Sequence, residues 1–419
     1  MKNKLIIIET EMIEPKGHFL NNLIDISNFF KKKLSIYWFI NKNFDFQKTY
    51  IPKGPKILKA IKSNKFKRKK NRLLYILEEI YLFFLNFIYI FYFSILFAKN
   101  KNFKNFILAL CSNYFLLPRY FSSFYFTYKS LKLTKKDHIL FPSTRRKDIA
   151  LVNFITKIDS NHPKFHMRLF LMPKERFKGF FYYLKQIDDK LREKRVFLYV
   201  WNEKNYKYLL KNTLSKKGII ISKLIFSYNP FLVFSRKFKK TNHTVGYAGN
   251  ARRARGFHKL PKLIELIEKQ KNSCNYLIQF SKISDDLIPI KKKLYFLAKT
   301  NKKIKIIEKY TSNLEFINIL KSIDIMPILH NAKEINSVTS GTLYSCLPYE
   351  IPFVIPTGLS FMKNINKFKS YEKAQNLSST AKKIIKISDE YSFYLKNSKL
   401  NFKILKKILK NDPLKKNLL

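Results

Sequence analysis

TVGYAGNARRARG, residues 244–256, decides how the chain is read. Residues 244–248 are an apolar run of strand length. Gly249 and Gly256 bracket a polar loop. Residues 257–270 then carry Leu260, Leu263, Ile264 and Ile267 at helical spacing. A strand that turns through glycines into a helix directs loop N–H groups toward the helix start, where an anion is favoured. Arg252, Arg253 and Arg255 add charge-assisted donors suited to phosphate oxygens. Arginine is scarce here, about a dozen against about 70 lysines, so three in one loop are conspicuous. The same loop also fits a solvated basic turn.

Outward from this loop the pattern alternates. Apolar runs at 276–280, 304–307, 324–329 and 353–356 read as strands. Residues 287–300, 313–323 and 341–349 read as helices. A second loop, 337–342, ends in Ser340, Gly341 and Thr342, where small residues let a ligand approach the backbone; Ser340 or Thr342 serves equally as a plain N-cap. Toward the N-terminus, strands are expected at 4–9, 34–40, 137–142, 165–172 and 196–200, with helices between them. The first strand runs into a loop holding Pro15, Gly17 and His18. Ligands of open α/β sheets bind at the carboxyl ends of the strands. His18 is therefore a candidate to position an acceptor or act as general base, or else a loop histidine with a local hydrogen bond. The pattern predicts two doubly wound Rossmann-like domains, 1–235 and 236–419.

The first domain is interrupted over about 50–135. Residues 53–72 are polybasic, and 80–98, IYLFFLNFIYIFYFSILFA, carry no charge. About 20 such residues span a bilayer. An apolar helical insertion touching the membrane, with its basic collar toward the cytoplasm, fits this order. So do apolar helices packed on the first domain. Leu5–Ile8 is too short for a secretory signal and is followed by Glu9 and Glu11. The expected location is cytoplasmic, peripheral on the inner face of the plasma membrane.

The chain has 419 residues, a net charge of +55 and 16% aromatic residues, which exclude a disordered basic tail. Such charge attracts anionic surfaces. The aromatics lie in apolar runs and no nucleic-acid module is visible, so no specific nucleic-acid partner is expected. Cys111, Cys274 and Cys346 are too far apart for a zinc motif, and no other His, Cys or Asp cluster argues for a metal.

Several of these segments together resemble GT-B glycosyltransferases, especially the family 4 type. Residues 244–256 are similar to that family's donor loop: Gly249 stands at its first glycine and Arg255-Gly256 at its Lys-Gly pair. Residues 310–331, YTSNLEFINILKSIDIMPILHN, resemble its helix before a strand ending in Pro. Residues 340–358, SGTLYSCLPYEIPFVIPTG, resemble its donor-site segment. Glu9, Gly17 and His18 resemble its acceptor-side loop.

The resemblance implies two domains facing a cleft. It implies a nucleotide-diphosphate sugar as donor substrate, a glycan or lipid-linked acceptor, and no metal or other cofactor. It assigns Gly249, Asn250, Arg252, Arg255, Gly256, Ser340, Gly341, Thr342 and Ser345 to the donor, Gly17 and His18 to the acceptor side, and catalysis to His18 and Arg255. Departures stand beside it. Ser345 occupies the family's glutamate position, Asn250 its arginine, and Glu350 the glycine before Ile351-Pro352. Glu334 and Glu350 are the nearby carboxylates that could take the missing role. A catalytically inactive GT-B binding protein in a membrane-associated polysaccharide assembly is the alternative reading.

Overall fold

A computed structural model describes residues 2–9, 18–41, 44, 54–61, 124, 127–169, 184–200, 203–212, 217–222, 234–238, 241–270, 274–281, 283–311, 313–330, 346–358 and 367–419. The chain divides into two compact units. Unit 1 comprises Met1–Lys223 with Pro413–Leu419, and unit 2 comprises Leu224–Asp412.

Unit 1 is built on strands β1 (Lys4–Glu9), β2 (Ser35–Asn41), β3 (Lys56–Ile61), β4 (His138–Phe141), β5 (Lys164–Arg168), β6 (Val196–Val200) and β7 (Ile219–Ile221). All pairings are parallel, in the order β3-β2-β1-β4-β5-β6-β7. Helices α1 (His18–Phe30), α2 (Arg146–Ile158), α3 (Asp188–Arg192) and α4 (Glu203–Asn212) intervene. The strands read as apolar runs because both faces are buried: Leu5, Ile7, Leu140, Val196 and Leu198 are all fully buried. Strand order reverses direction between β1 and β4, which makes their carboxyl ends the switch point.

Two ends of the expected insertion belong to the sheet and its core. Residues 56–61 form the edge strand β3, where the exposed Lys56 guards the edge. Phe124 and Tyr128 pack into the unit 1 core, with Phe124 edge-on to Phe39 at 5.3 Å. The run 80–98 lies outside the described residues, and among those described no helix is long and apolar enough to cross a membrane.

Unit 2 repeats the plan with β8 (Thr244–Ala248), β9 (Asn275–Phe280), β10 (Ile304–Glu308), β11 (Met326–Pro327), β12 (Phe353–Pro356) and β13 (Tyr371–Ala374). The ladders β10-β9-β8 and β11-β12-β13 are parallel. A parallel bridge from Val245 to Ile325 joins them. The switch point of unit 2 therefore falls between β8 and β11. Helices α5 (Leu260–Gln270), α6 (Ile288–Thr300), α7 (Asn313–Ser322), α8 (Leu377–Asp389) and α9 (Tyr391–Lys410) surround the sheet. Asn376 caps α8, accepting from the Ser379 N–H at 2.8 Å. Cys274 and Cys346 are buried and form no disulfide.

The β8–β11 seam is held by a buried ion pair. Arg236 and Asp324 are almost wholly buried and meet at 3.0 Å. The Arg236 guanidinium also donates to the carbonyls of Tyr349, Lys321 and Leu320, and Asp324 Oδ2 accepts the Thr244 N–H at 2.9 Å. A buried pair so fully hydrogen-bonded costs little once formed, whereas removing one partner leaves the other charge stranded. Arg236, expected at the edge of the second domain, is thus an anchor of unit 2.

The chain then returns to unit 1. Helix α10 (Pro413–Leu418) buries Leu414 and Leu418 completely, and its Asn417 amide donates to the Tyr199 hydroxyl at 3.0 Å. That hydroxyl meets His166 Nδ1 at 3.0 Å, and His166 Nε2 meets His138 Nδ1 at 3.0 Å. Burial holds the His138 imidazole down to about 4 and His166 well below the usual histidine value, so this relay is uncharged at neutral pH. Leu418→Ala should cost about 2–4 kcal/mol by leaving a cavity under α10. Urea unfolding of the intact chain checks this through a lower midpoint at unchanged slope.

Candidate functional site

The site is assembled where β8 and β11 end side by side. Gly249 follows β8 at φ 127°, a conformation that side chains rarely adopt, and its N–H donates to the Gln279 carbonyl oxygen at 3.2 Å and to Gln279 Oε1 at 2.9 Å. A Cβ at Gly249 would lie 2.7 Å from Arg255 Nη1, the movable end of that side chain, so it is the backbone angle that requires glycine here. Asn250 braces the loop: its Oδ1 accepts from Ser281 Oγ at 2.7 Å, and its carbonyl accepts from the Tyr247 hydroxyl at 3.0 Å. Burial pushes that hydroxyl up to about 12, which keeps it a donor.

Two 3-10 turns, Arg253–Arg255 and Phe257–Lys259, carry the loop into α5. Gly256 joins them at φ 76°, and a Cβ there would collide with the Leu329 backbone. Only glycine lets the loop lie against the chain leaving β11.

The three arginines separate in role. Arg253 Nε meets Asp286 Oδ2 at 3.0 Å, an exposed pair. Arg252 is exposed beside the loop. Arg255 is half-buried, and burial lowers its pKa from the usual arginine value. Among the described residues no carboxylate pairs with its guanidinium. A cation drawn out of water without a counter-charge is costly, and an anion relieves that cost.

Two further groups join it. Lys259 Nζ donates to the Leu329 carbonyl at 3.3 Å. His330, next along the chain, is buried, and its pKa is held down to about 4 by burial and by the neighbouring Arg255 and Lys259 charges. At neutral pH the imidazole is therefore uncharged and feels the charge of both cations. Sequence reasoning missed Lys259 and His330. His330 opens the polar loop that follows Pro327, but its nearness to Arg255 exists only after β8 and β11 align.

Gly249, Asn250, Arg252, Arg255 and Gly256 thus share one loop. Ser340, Gly341, Thr342, Ser345, Glu334 and Gly17 lie outside the described residues. His18 is the first residue of α1 in unit 1. Glu350 is accounted for differently from the expectation that it could replace a donor-site carboxylate. It is buried, with its Oε2 accepting the Arg236 N–H at 2.8 Å. Its φ of 54° is in the left-handed region that glycine adopts without strain. Glu350 holds the Arg236 anchor. Among the described residues no group of three His, Cys, Asp or Glu could hold a metal ion.

Neither a family model nor a curated protein sequence matches the chain. Solved structures do match its fold. Sucrose-phosphate synthase from Thermosynechococcus elongatus aligns with a TM-score of 0.57 at 10% identity, over 97% of this chain and 95% of that one. HepE from Anabaena, solved with UDP and glucose, aligns with a TM-score of 0.56 at 10% identity, over 97% of each chain. The fold is GT-B. A point mutant of TarM from S. aureus, solved with UDP, has a TM-score of 0.50 at 11% identity; the match covers 70% of this chain and spans only 58% of TarM. The GT-B comparison accounts for two similar parallel sheets in one chain.

Gly256→Ala should lower stability by about 2–4 kcal/mol, because the loop must leave Leu329 or the backbone must strain. Thermal unfolding measures the loss, and an unchanged midpoint would refute the close approach.

Proposed function

We propose that the chain is a glycosyltransferase that moves a sugar from a nucleotide-diphosphate sugar to a polysaccharide or lipid-linked acceptor at the cytoplasmic membrane face. The observation that carries this reading is the half-buried Arg255 at the β8–β11 switch point, flanked by Lys259 and the neutral His330. The UDP and glucose bound to HepE support the same class of donor.

In this reading the anomeric carbon forms a bond to an acceptor oxygen as its bond to the diphosphate breaks. Negative charge gathers on the departing diphosphate. Arg255 and Lys259 neutralise it, and Arg252 adds a nearby exposed cation. Donors fixed in a half-buried site stabilise developing charge without reorganising, so no metal is required for that step. Ser340, Gly341, Thr342 and Ser345 complete the donor side, Gly17 and His18 the acceptor side. His18 takes the acceptor proton, and the apolar run 80–98 with its basic collar holds the enzyme at the membrane.

Ser345 at the family's glutamate position favours a second reading, a GT-B binding protein without turnover. Release of UDP from UDP-sugars separates the two readings. Turnover eliminates the second, whereas binding without release under every acceptor tried supports it.

Titration calorimetry with UDP, GDP and ADP tests the site itself. Arg255→Ala should weaken binding about 10- to 100-fold, as loss of a charge-assisted donor pair does. Arg253→Ala should change it less than about twofold, because an exposed ion pair contributes little. Equal losses would remove Arg255 from the site.

The same titrations at pH 7 and pH 5 address His330. A bound diphosphate raises the imidazole pKa above about 4, so the complex takes up a proton that the free chain does not. Affinity of the native chain should therefore rise, relative to His330→Gln, as pH falls across this range. Parallel pH profiles would place His330 away from the anion.

A further inference from the structure

Helix α6 presents an unusual outer face. Its inner side is orthodox: Leu294 is fully buried, and Ile290, Leu297 and Ala298 pack on the unit 2 core. Outward, at spacings of four, three, one and three residues, stand Ile288, Lys292, Tyr295, Phe296 and Lys299. This is one stripe of a helix. Phe296 is 66% exposed and Ile288 is 41% exposed.

The charges on α6 are sorted. Lys291 pairs with Glu308 at 2.5 Å and Lys293 with Glu265 at 2.9 Å. The Tyr295 hydroxyl also donates to Glu308, at 2.9 Å. Those acids are therefore engaged at the flanks. Lys292, Lys299 and Lys302 are exposed and have no ion pair among the described residues. Asp285 and Asp286 stand before the helix, and Asp286 is held by Arg253.

A stripe of unpaired lysines around an outward phenylalanine matches an anionic lipid surface. The aromatic ring enters the headgroup boundary while the lysine stems lie along it and their ammonium groups meet phosphates. We propose that the outer face of α6 docks unit 2 on anionic membrane lipid. The proposal rests on the membrane-face part of the function above and deepens it, assigning a described surface of unit 2 where the sequence pointed only to residues 50–135. A soluble anionic protein offers charge but no apolar layer for Phe296.

Vesicle co-sedimentation of the full chain tests it, with phosphatidylcholine alone and with added phosphatidylglycerol. Each lysine near an anionic surface contributes about fivefold in partition. Lys292→Glu with Lys299→Glu should lower partition into the anionic vesicles by more than about 20-fold, and Phe296→Ser by about fivefold. Lys382→Glu with Lys403→Glu changes net charge equally on other helices and should lower it less than about twofold. All variants should keep the native unfolding midpoint and nucleotide-diphosphate affinity.

Equal losses in the two lysine pairs overturn the proposal, as does failure of the native chain to bind anionic vesicles. A native dimer that Phe296→Ser dissolves while vesicle binding persists overturns it as well. Vesicle binding unchanged by Arg255→Ala separates this surface from the donor site, so each can fail alone.

Discussion

The contact between Gly256 and the backbone of Leu329 governs unit 2. It is a place where the chain leaving β8 and the chain leaving β11 touch without side chains between them. Everything chemical in the site follows from that closeness. Arg255 precedes the glycine, Lys259 follows it by less than a turn, and His330 follows the leucine. A residue larger than glycine would force the two ends apart or strain the backbone that holds the cluster. Beneath it, the Arg236–Asp324 pair holds the same two strands from the other end of the seam. One seam is thus pinned twice, by an absent side chain above and by two buried charges below.

The division of labour among the cations is equally physical. A chain with net charge +55 has far more cations than carboxylates, so proximity alone identifies no binding group. Pairing does. Arg253, Lys291 and Lys293 already face carboxylates, and Arg236 is enclosed with Asp324. Many exposed lysines remain unpaired as well, but two features stand out by their setting: a half-buried arginine at the switch point, and lysines that share one stripe of α6 with an outward phenylalanine. The two differ in desolvation: the first suits a compact anion enclosed by protein, the second a broad anionic surface.

Much of the architecture was legible in the sequence because parallel strands buried on both faces are continuous apolar runs. Lys4–Glu9 and Thr244–Ala248 match their expected bounds, as does Phe353–Pro356. The edge strands β3 and β13 were not legible, since KILKAI carries its lysines three apart inside a polybasic stretch and YEKA is four residues with two adjacent charges, so neither shows the period of a strand. The strand expected over 324–329 contracts to Met326–Pro327. Pro327 has no N–H to continue a ladder, and Asp324 is drawn aside to Arg236. In the site, the glycine and arginine spacing was visible because one loop carries it. His330 was not, because its partners lie some 70 residues away in sequence and meet it only through the β8–β11 bridge. Glu350 misled in the opposite direction. A carboxylate at this position suggested chemistry, whereas its backbone is left-handed and its side chain fixes the neighbouring anchor.

Helix α10 has a consequence for synthesis. Leu414 and Leu418 are buried and belong to the first unit, yet they are encoded after the whole of the second. On the ribosome, the seven-stranded sheet of unit 1 emerges first and the segment that completes the unit emerges last. Unit 1 therefore has its full complement of chain only after all of unit 2 has been translated, so a truncation within unit 2 leaves both units incomplete.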